Sequence, residues 1–353
     1  MPTHKNPEAD RFKGPAKYAE YLVARVLVSI LQRIPIRLAY HLGRGVGWLA
    51  WKTLKRRRAT VRKNLEVVNA WMEAQSAELR TSDVEHRTLN KENPQVFRRR
   101  SASYGGQDDR QTGLSFSPSN IPLCSMDLGL QTKEVFQRIG ANLLSGFTFG
   151  RMRPEQAERH IEIEGLEHLK EALDVGKGAI ILLAHMGPWE ALSQFTGLAR
   201  MQGIHATLGA MYRPLNNSYL DKWVKAQRGA MGTQLFSRRD GFHQPMSFLC
   251  EGGMLGILAD QKMREGPKVP YFGVTAPTNP VPGLFQRRTG APIIAVSVET
   301  VGVARWCLSI RPVKWPESVA LKDRKTPARH CNAALEQAIL RSPLDGFWLH
   351  KRF

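Results

Sequence analysis

The chain has 353 residues, 42% of them hydrophobic, and a formal net charge of +20. This length and composition allow one large or two smaller domains with a real core, and the excess of Lys and Arg favours anionic partners such as nucleic acid, anionic lipid or an acidic carrier protein. The four cysteines are scattered without a CxxC pair, which argues against a cysteine metal site and favours a reduced, cytoplasmic setting.

The N-terminal region combines apolar side chains with many basic ones. Tyr18 to Trp51 is rich in Leu, Val, Ile and Trp, but charged residues interrupt it, so no uncharged run is long enough for a transmembrane helix. The pattern predicts an amphipathic helix over about 16–33 and a second one from Pro35, with no cleavable signal peptide. A cationic run from Lys52 follows. We therefore expect residues 1–63 to associate with an anionic membrane surface, the alternative being helices packed on the domain with a solvated basic face.

A polar stretch separates this region from the rest of the chain. Residues 64–132 carry Arg98-Arg-Arg, Gly105-Gly and a Ser/Pro run, without sustained apolar periodicity. Such composition predicts a flexible insertion. Helical periodicity returns from Lys133 to Phe149.

Strands and helices alternate in the C-terminal part of the sequence. Residues 133–353 are predicted to form an α/β domain with a mostly parallel or mixed sheet flanked by helices. Ligands of such sheets bind outside the carboxyl ends of the strands. Three predicted strands end on polar residues, namely His185, Arg213 and Asp260.

The most informative of these strand ends is the run from Ala179 to Glu190. A buried, β-branched strand ends before His185, a turn with Gly187 follows, and Pro188 opens a helix that carries Glu190 in its first turn. This arrangement predicts an imidazole general base that the Glu190 carboxylate orients. Since the motif contains no serine or cysteine nucleophile, the simplest chemistry is deprotonation of an acceptor hydroxyl that attacks an acyl group. The alternative is an ordinary surface or core histidine, of which the chain has several.

Several segments, taken in order, carry a family resemblance. The sequence resembles the lysophospholipid acyltransferase superfamily and, more narrowly, the bacterial lipid A biosynthesis acyltransferases that add lauroyl or myristoyl chains. Two departures are an insertion longer than that of the family and an N-terminal helix more charged than a single-span anchor. The matching segments are Gly43–Gly47 with Asn64-Leu65, His185–Glu190, Tyr212–Asn217, Glu251–Gly253 with Ala259–Gln261, Val269–Gly273, Arg288–Pro292 and Trp348–Arg352.

The resemblance implies a membrane-associated O-acyltransferase on the cytoplasmic face of the bacterial inner membrane. Its donor would be an acyl thioester, on acyl carrier protein or on CoA, and its acceptor a hydroxyl of a lipid A precursor or a similar glycolipid. No cofactor and no metal is expected. His185 would be the base and Glu190 its partner, while Arg213 would hold a phosphate of either substrate or pair with Asp260. The other expected substrate-binding residues are Asp260 itself, Tyr212 and Trp189. Trp189, Tyr271 and Phe272 are candidates for an acyl channel, although plain core packing is the favoured interpretation for any single one of them.

Other functions fit parts of the same pattern. The closest alternative keeps the chemistry and changes the acceptor to a glycerolipid or an acyl-mannoside. A non-catalytic membrane-binding protein would need only the basic N-terminus. A nucleic-acid binder is disfavoured because the chain shows no helix-turn-helix, RNA-binding or zinc signature, and a zinc hydrolase because His-x4-Glu lacks the histidine pair of the helical zinc motif.

Overall fold

The computed structural model describes residues 13–92, 126–230, 232–315 and 323–353. The helices are α1 (Pro15–Leu31), α2 (Ile36–Thr53), α3 (Lys55–Glu92), α4 (Leu128–Thr148), α5 (Pro154–Ala157), α6 (Leu166–Asp174), α7 (Phe195–Met201), α8 (Ser218–Ala230), α9 (His243–Cys250), α10 (Val281–Thr289) and α11 (Lys325–Leu340). The strands are β1 (Ile161–Glu164), β2 (Ala179–Leu183), β3 (Leu208–Tyr212), β4 (Gln234–Ser237), β5 (Met254–Leu258), β6 (Lys268–Tyr271), β7 (Val274–Pro277), β8 (Ile293–Gly302) and β9 (Arg305–Pro312). Short 3-10 helices lie at Phe149–Arg151, Trp189–Gln194 and Pro343–Asp345.

The main sheet has seven strands in the order β1-β9-β8-β2-β5-β3-β4. The β8–β9 pair is antiparallel, whereas the other neighbouring strands run parallel. Strands β6 and β7 form a separate antiparallel pair. The prediction of a mixed α/β sheet flanked by helices is therefore confirmed.

Helices cover both faces of the sheet, and β2 shows why. All five residues of β2 are buried, as expected for a parallel strand between two helical layers. Ile180 and Leu182 point into the core layer shared with α3, α4, α10 and α11. Ile181 and Leu183 point into the opposite layer, shared with α6 and α7. Full burial of each such side chain stabilises the fold by about 1.5–3 kcal/mol.

Helices α2 and α4 approach each other closely through glycines. A Cβ atom on Gly43 would lie 2.4 Å from the carbonyl oxygen of Gly140, and one on Gly47 would lie 2.1 Å from that of Phe136. Only glycine permits this distance between the backbones. The close approach gives the segment Gly43–Gly47, noted in the sequence, a structural role.

The long helix α3 changes the predicted boundary of the insertion. Residues 64–92, assigned from sequence to the insertion, continue α3, and α4 begins at Leu128 rather than Lys133. Val61, Leu65 and Val68 are fully buried against α4, so a narrow apolar stripe at helical spacing crosses the predicted boundary. The helix therefore runs without a break across the predicted boundary at residue 64, and the division of the chain into domains stays a prediction. The part of the predicted insertion at 93–125 lies outside the described residues.

The two expected N-terminal helices are present as α1 and α2. Their outer faces expose a series of apolar side chains, namely Tyr18, Leu22, Val23, Val26, Leu27 and Ile30 on α1 and Leu38, Leu42, Val46, Trp48 and Leu49 on α2. Within the described ranges, no helix combines the length and the apolar character that crossing a bilayer requires.

Candidate active site

The carboxyl ends of adjacent parallel strands bring His185 and Asp260 together. Leu183 of β2 pairs in register with Leu258 of β5, so the residues two positions beyond each strand meet at the same edge of the sheet. Nδ1 of His185 lies 2.7 Å from Oδ1 of Asp260. With Nδ1–H donated to this carboxylate, Nε2 of His185 keeps its lone pair and is the nitrogen able to accept a proton.

Glu190 binds an arginine on α8, and its predicted role of orienting His185 stays a prediction. Its carboxylate accepts hydrogen bonds from Nη2 and Nε of Arg228 on α8, at 2.7 and 3.3 Å. The 3-10 helix at Trp189–Gln194 thus brings the Glu190 carboxylate to α8. Asp260 takes the orienting position because the register of β2 against β5 places it there.

The sequence also suggests that Asp260 forms an ion pair with Arg213, and the structure shows a different partner. Its hydrogen bond goes to His185, and the structure contains no ion pair between Asp260 and Arg213 among the residues it describes. Asp260 therefore belongs with the base. Arg213 follows β3 and lines the neighbouring cavity.

The loop that carries His185 is held by the C-terminal part of the chain. The backbone N–H of Phe347 donates to the carbonyl of His185 at 2.7 Å, and that of Gly187 donates to the carbonyl of Asp345 at 3.1 Å. Gly187 has φ +57°, and a Cβ there would lie 2.4 Å from the carbonyl oxygen of Val298, so glycine is required at this turn. The Trp189 ring packs edge-on against His185 with centroids 5.6 Å apart. The imidazole is thereby fixed from several sides.

A buried polar network anchors the same C-terminal part. The Asp345 carboxylate, whose side chain is fully buried, forms an ion pair with Nη1 of Arg138 at 3.0 Å. It also accepts hydrogen bonds from Asn142 at 3.1 Å and from the Thr300 hydroxyl at 2.6 Å. These contacts join α4 and β8 to the segment that supports His185.

A cavity of about 1100 Å³ opens beside His185. Its deep part follows one face of the sheet and is apolar, being lined by Ile181, Leu183, Leu192, Phe195, Leu208, Gly256 and Val296. Trp189, Glu190, Tyr212 and Arg213, all predicted site residues, stand on its wall. Tyr271 and Phe272 do not line this cavity. Each is 1% exposed and packs in the core, which is the alternative that the sequence favoured over an acyl channel.

The mouth of the cavity is strongly basic. Arg228 is paired with Glu190 and Lys225 with Asp221. The other cations, Arg213, Arg238, Lys262 and Arg264, have no carboxylate at ion-pair distance in the part of the chain that the structure describes. The ends of β3, β4 and β5, which are neighbours in the sheet, are followed by Arg213, Arg238 and Lys262, respectively. Sequence reasoning found Arg213 and missed the others, because only the strand order brings them together.

Nothing in the described ranges groups three His, Cys, Asp or Glu side chains as a metal site would require. The site consists of a hydrogen-bonded histidine–aspartate pair beside an apolar cavity with a cationic mouth. Such a site suits proton abstraction from a substrate that is partly an apolar chain and partly anionic. The fold and the site therefore define an α/β protein with a histidine–aspartate pair beside a cavity that is apolar inside and cationic at its mouth.

Comparison with known proteins gives the family. The family model described as bacterial lipid A biosynthesis acyltransferase matches residues 6–80 and 132–353. The chain belongs to this family and is an acyltransferase of it, as the sequence motifs indicated. The matched ranges leave out residues 81–131, which fall within the predicted insertion.

The relatives are distant, and two of the three described here cover more than two thirds of the chain. A lipid A biosynthesis lauroyltransferase of Escherichia coli (strain K12) is 23% identical over 346 residues, 96% of this chain and 92% of the relative. A lipid A biosynthesis palmitoleoyltransferase of the same organism is 25% identical over 251 residues, 68% of this chain and 78% of the relative. A phosphatidylinositol mannoside acyltransferase of Mycobacterium tuberculosis (strain CDC 1551 / Oshkosh) is 27% identical over 137 residues, 37% of this chain and 42% of the relative.

Proposed function

We propose that the protein transfers a fatty acyl chain from an acyl thioester to a hydroxyl of a lipid A precursor or a similar glycolipid. The observation that carries this proposal is the His185–Asp260 pair at the edge of an apolar cavity. The enzyme would work at the cytoplasmic face of the bacterial inner membrane, where an acyl thioester and a membrane lipid can meet.

The proposed reaction needs no covalent acyl-enzyme. Nε2 of His185 takes the proton of the acceptor hydroxyl while the hydroxyl oxygen attacks the thioester carbonyl carbon. The tetrahedral intermediate then collapses and the C–S bond breaks. The leaving sulfur takes the proton from His185 and departs as a thiol, which returns the imidazole to its neutral form. Asp260 stabilises the imidazolium that exists between these steps, as a carboxylate does for a histidine base.

Glu190 has a supporting role in this proposal. Its carboxylate holds Arg228 at the cavity wall, close to where the substrates enter. The pair would keep the guanidinium oriented toward an anionic substrate group. Glu190 is therefore proposed as a positioning residue, with Asp260 as the partner of the base.

The apolar and cationic parts of the cavity would bind chemically different parts of the substrates. The acyl chain would occupy the apolar part along the sheet, with Trp189 at its entrance. Arg213, beside Tyr212 at the mouth, would hold a phosphate of the acceptor or of the donor. An acyl carrier protein is strongly acidic, so the net charge of +20 supports docking of this donor, and acyl-CoA is the second candidate.

Membrane association is part of the proposal and rests on α1 and α2. Single exposed aliphatic residues are ordinary, but a continuous row on two successive helices forms an apolar patch. The exposed cations Lys52, Lys55, Arg56, Arg57, Arg62 and Lys63 follow immediately. Apolar surface beside dense positive charge suits a helix pair lying on an anionic leaflet.

The test is an acyl-transfer assay with the purified protein in detergent. Lauroyl or myristoyl carrier protein and a lipid A precursor are supplied to wild type, His185→Ala and His330→Ala. His330 is a matched control, because it is a half-buried histidine on α11 that packs against Trp315. We expect transfer by wild type and the control, and a loss of roughly 10²–10⁴-fold in the His185 variant. Equal activity of His185→Ala and wild type would contradict the proposal.

A second acceptor belongs in the same assay. The similarity to a phosphatidylinositol mannoside acyltransferase makes an acyl-mannoside the alternative. Transfer to the mannoside alone would keep the chemistry and change the acceptor. No transfer with either acceptor and either donor, combined with persistent lipid binding, would indicate a non-catalytic membrane protein.

A further inference from the structure

The C-terminal segment, residues 346–353, passes beside the active site and is tied to α3. Nδ2 of Asn64, a residue 1% exposed, donates to the carbonyls of Trp348 and His350 at 2.9 and 2.8 Å. Nη1 of Arg57 donates to the carbonyl of Leu349 at 3.1 Å. The backbone on both sides of His350 is therefore fixed by residues nearly three hundred positions away in sequence.

The His350 side chain lies on the wall of the cavity that His185 also lines. His185 and Asp260 lie near enough for their charges to affect the pKa of His350. Nδ1 of His350 is buried and has no hydrogen-bond partner among the described residues. The nitrogen that remains to meet a substrate in the cavity is Nε2.

The surroundings of His350 favour its neutral form. Burial lowers the pKa of His350, and the positive charge of Arg352 and the nearby His185 and Arg57 lower it further, while Asp260 acts in the opposite direction. A neutral imidazole carries one proton. Placing it on Nε2 leaves only an acceptor at the buried Nδ1 and avoids an orphaned N–H donor there.

We propose that His350 donates a hydrogen bond from Nε2–H to the carbonyl oxygen of the acyl thioester. When the acceptor oxygen attacks, this oxygen becomes an oxyanion, and a donor already in place stabilises it without reorganisation. The inference rests on the proposed acyl transfer and names a second catalytic histidine for it. Asn64 and Arg57 are then positioning residues, because they fix the backbone that presents His350.

A kinetic test compares His350→Leu, which removes the donor, with His350→Gln, which keeps an amide N–H. Loss of one oxyanion donor lowers kcat by about 10²–10³-fold, and KM for the thioester and the acceptor should stay close to the wild-type values. His350→Gln should recover much of kcat, and His330→Leu should match wild type. A wild-type kcat in His350→Leu would overturn the assignment. Equal losses in the Leu and Gln variants, with a lower thermal unfolding midpoint in both, would also overturn it in favour of a structural role.

A spectroscopic test separates this inference from the proposed function. An acyl thioester with a ¹³C-labelled carbonyl is bound to His185→Ala, which should not turn it over, and to the double variant with His350→Leu. Isotope-edited infrared spectra should show a lower carbonyl stretching frequency when His350 is present. Equal frequencies with intact transfer by wild type would overturn the His350 assignment alone. If wild type neither binds nor transfers the thioester, the proposed function fails and the assignment fails with it.

Discussion

Replacing Asp260 by Asn tests which carboxylate serves the base. Nδ1 of His185 and Oδ1 of Asp260 are 2.7 Å apart, and their side chains are 19% and 13% exposed. If the imidazolium and carboxylate centres are about 4 Å apart and the effective dielectric constant is about 20, their attraction is about 4 kcal/mol. Loss of this energy from the transition state lowers kcat by about 10³-fold. An Asn amide that donates to Nδ1 would also force the proton onto Nε2 and remove the base.

Glu190→Gln is the matched comparison. Glu190 and Arg228 are each 29% exposed, and an ion pair of this kind contributes about 0–1 kcal/mol, so kcat/KM should fall by at most about fivefold. Both variants are measured in one single-turnover assay beside wild type and His185→Ala, with thermal unfolding as the check on folding. The reasoning is refuted if Glu190→Gln loses as much activity as Asp260→Asn, or if Asp260→Asn keeps the wild-type rate.

Three further predictions concern the cavity, the surface and the core. A Cβ on Gly256 would be 3.5 Å from Leu183, so the backbone can carry the side chain of Gly256→Leu, which shortens the cavity. Long acyl thioesters should then lose about fourfold in rate for each excluded methylene, relative to short ones. An unchanged dependence of the rate on chain length would contradict this prediction. Val26 is 59% exposed, so Val26→Glu should reduce co-sedimentation with anionic vesicles without lowering the unfolding midpoint; undiminished binding would argue against docking by α1. Asp345→Ala removes one of two carboxylate partners from Arg138, which keeps Glu134, and takes the acceptor from the buried Nδ2 of Asn142. Urea unfolding should show a free energy of unfolding lower by about 1–3 kcal/mol, and a wild-type value would show that the network contributes no stability.

The insertion illustrates where sequence patterns mislead. The surface of α3 is so polar that its apolar stripe at Val61, Leu65 and Val68 is hidden within a basic run. The polar composition of the following residues then moved the predicted boundary into the helix. Short strands are also hard to recognise from sequence patterns. Strands β4, β6 and β7 span four residues each, which is too few for a periodic signal. Only their hydrogen bonds to neighbouring strands define them.

What the sequence determined by itself is the position of His185, the proposed base, at the end of a buried strand. A continuous apolar strand must be buried on both faces, and its abrupt end at His185 places an imidazole at the edge of a sheet, whatever the rest of the chain does. Which acid serves that imidazole was decided only by the tertiary structure. His185 and Asp260 are 75 positions apart, and they meet because β2 and β5 pair in register, whereas Glu190, closer in sequence, is carried toward Arg228. The same holds for His350, whose place beside His185 depends on the hydrogen bonds from Asn64. Contacts between distant segments depend on strand register and helix packing, which no local pattern of residues encodes.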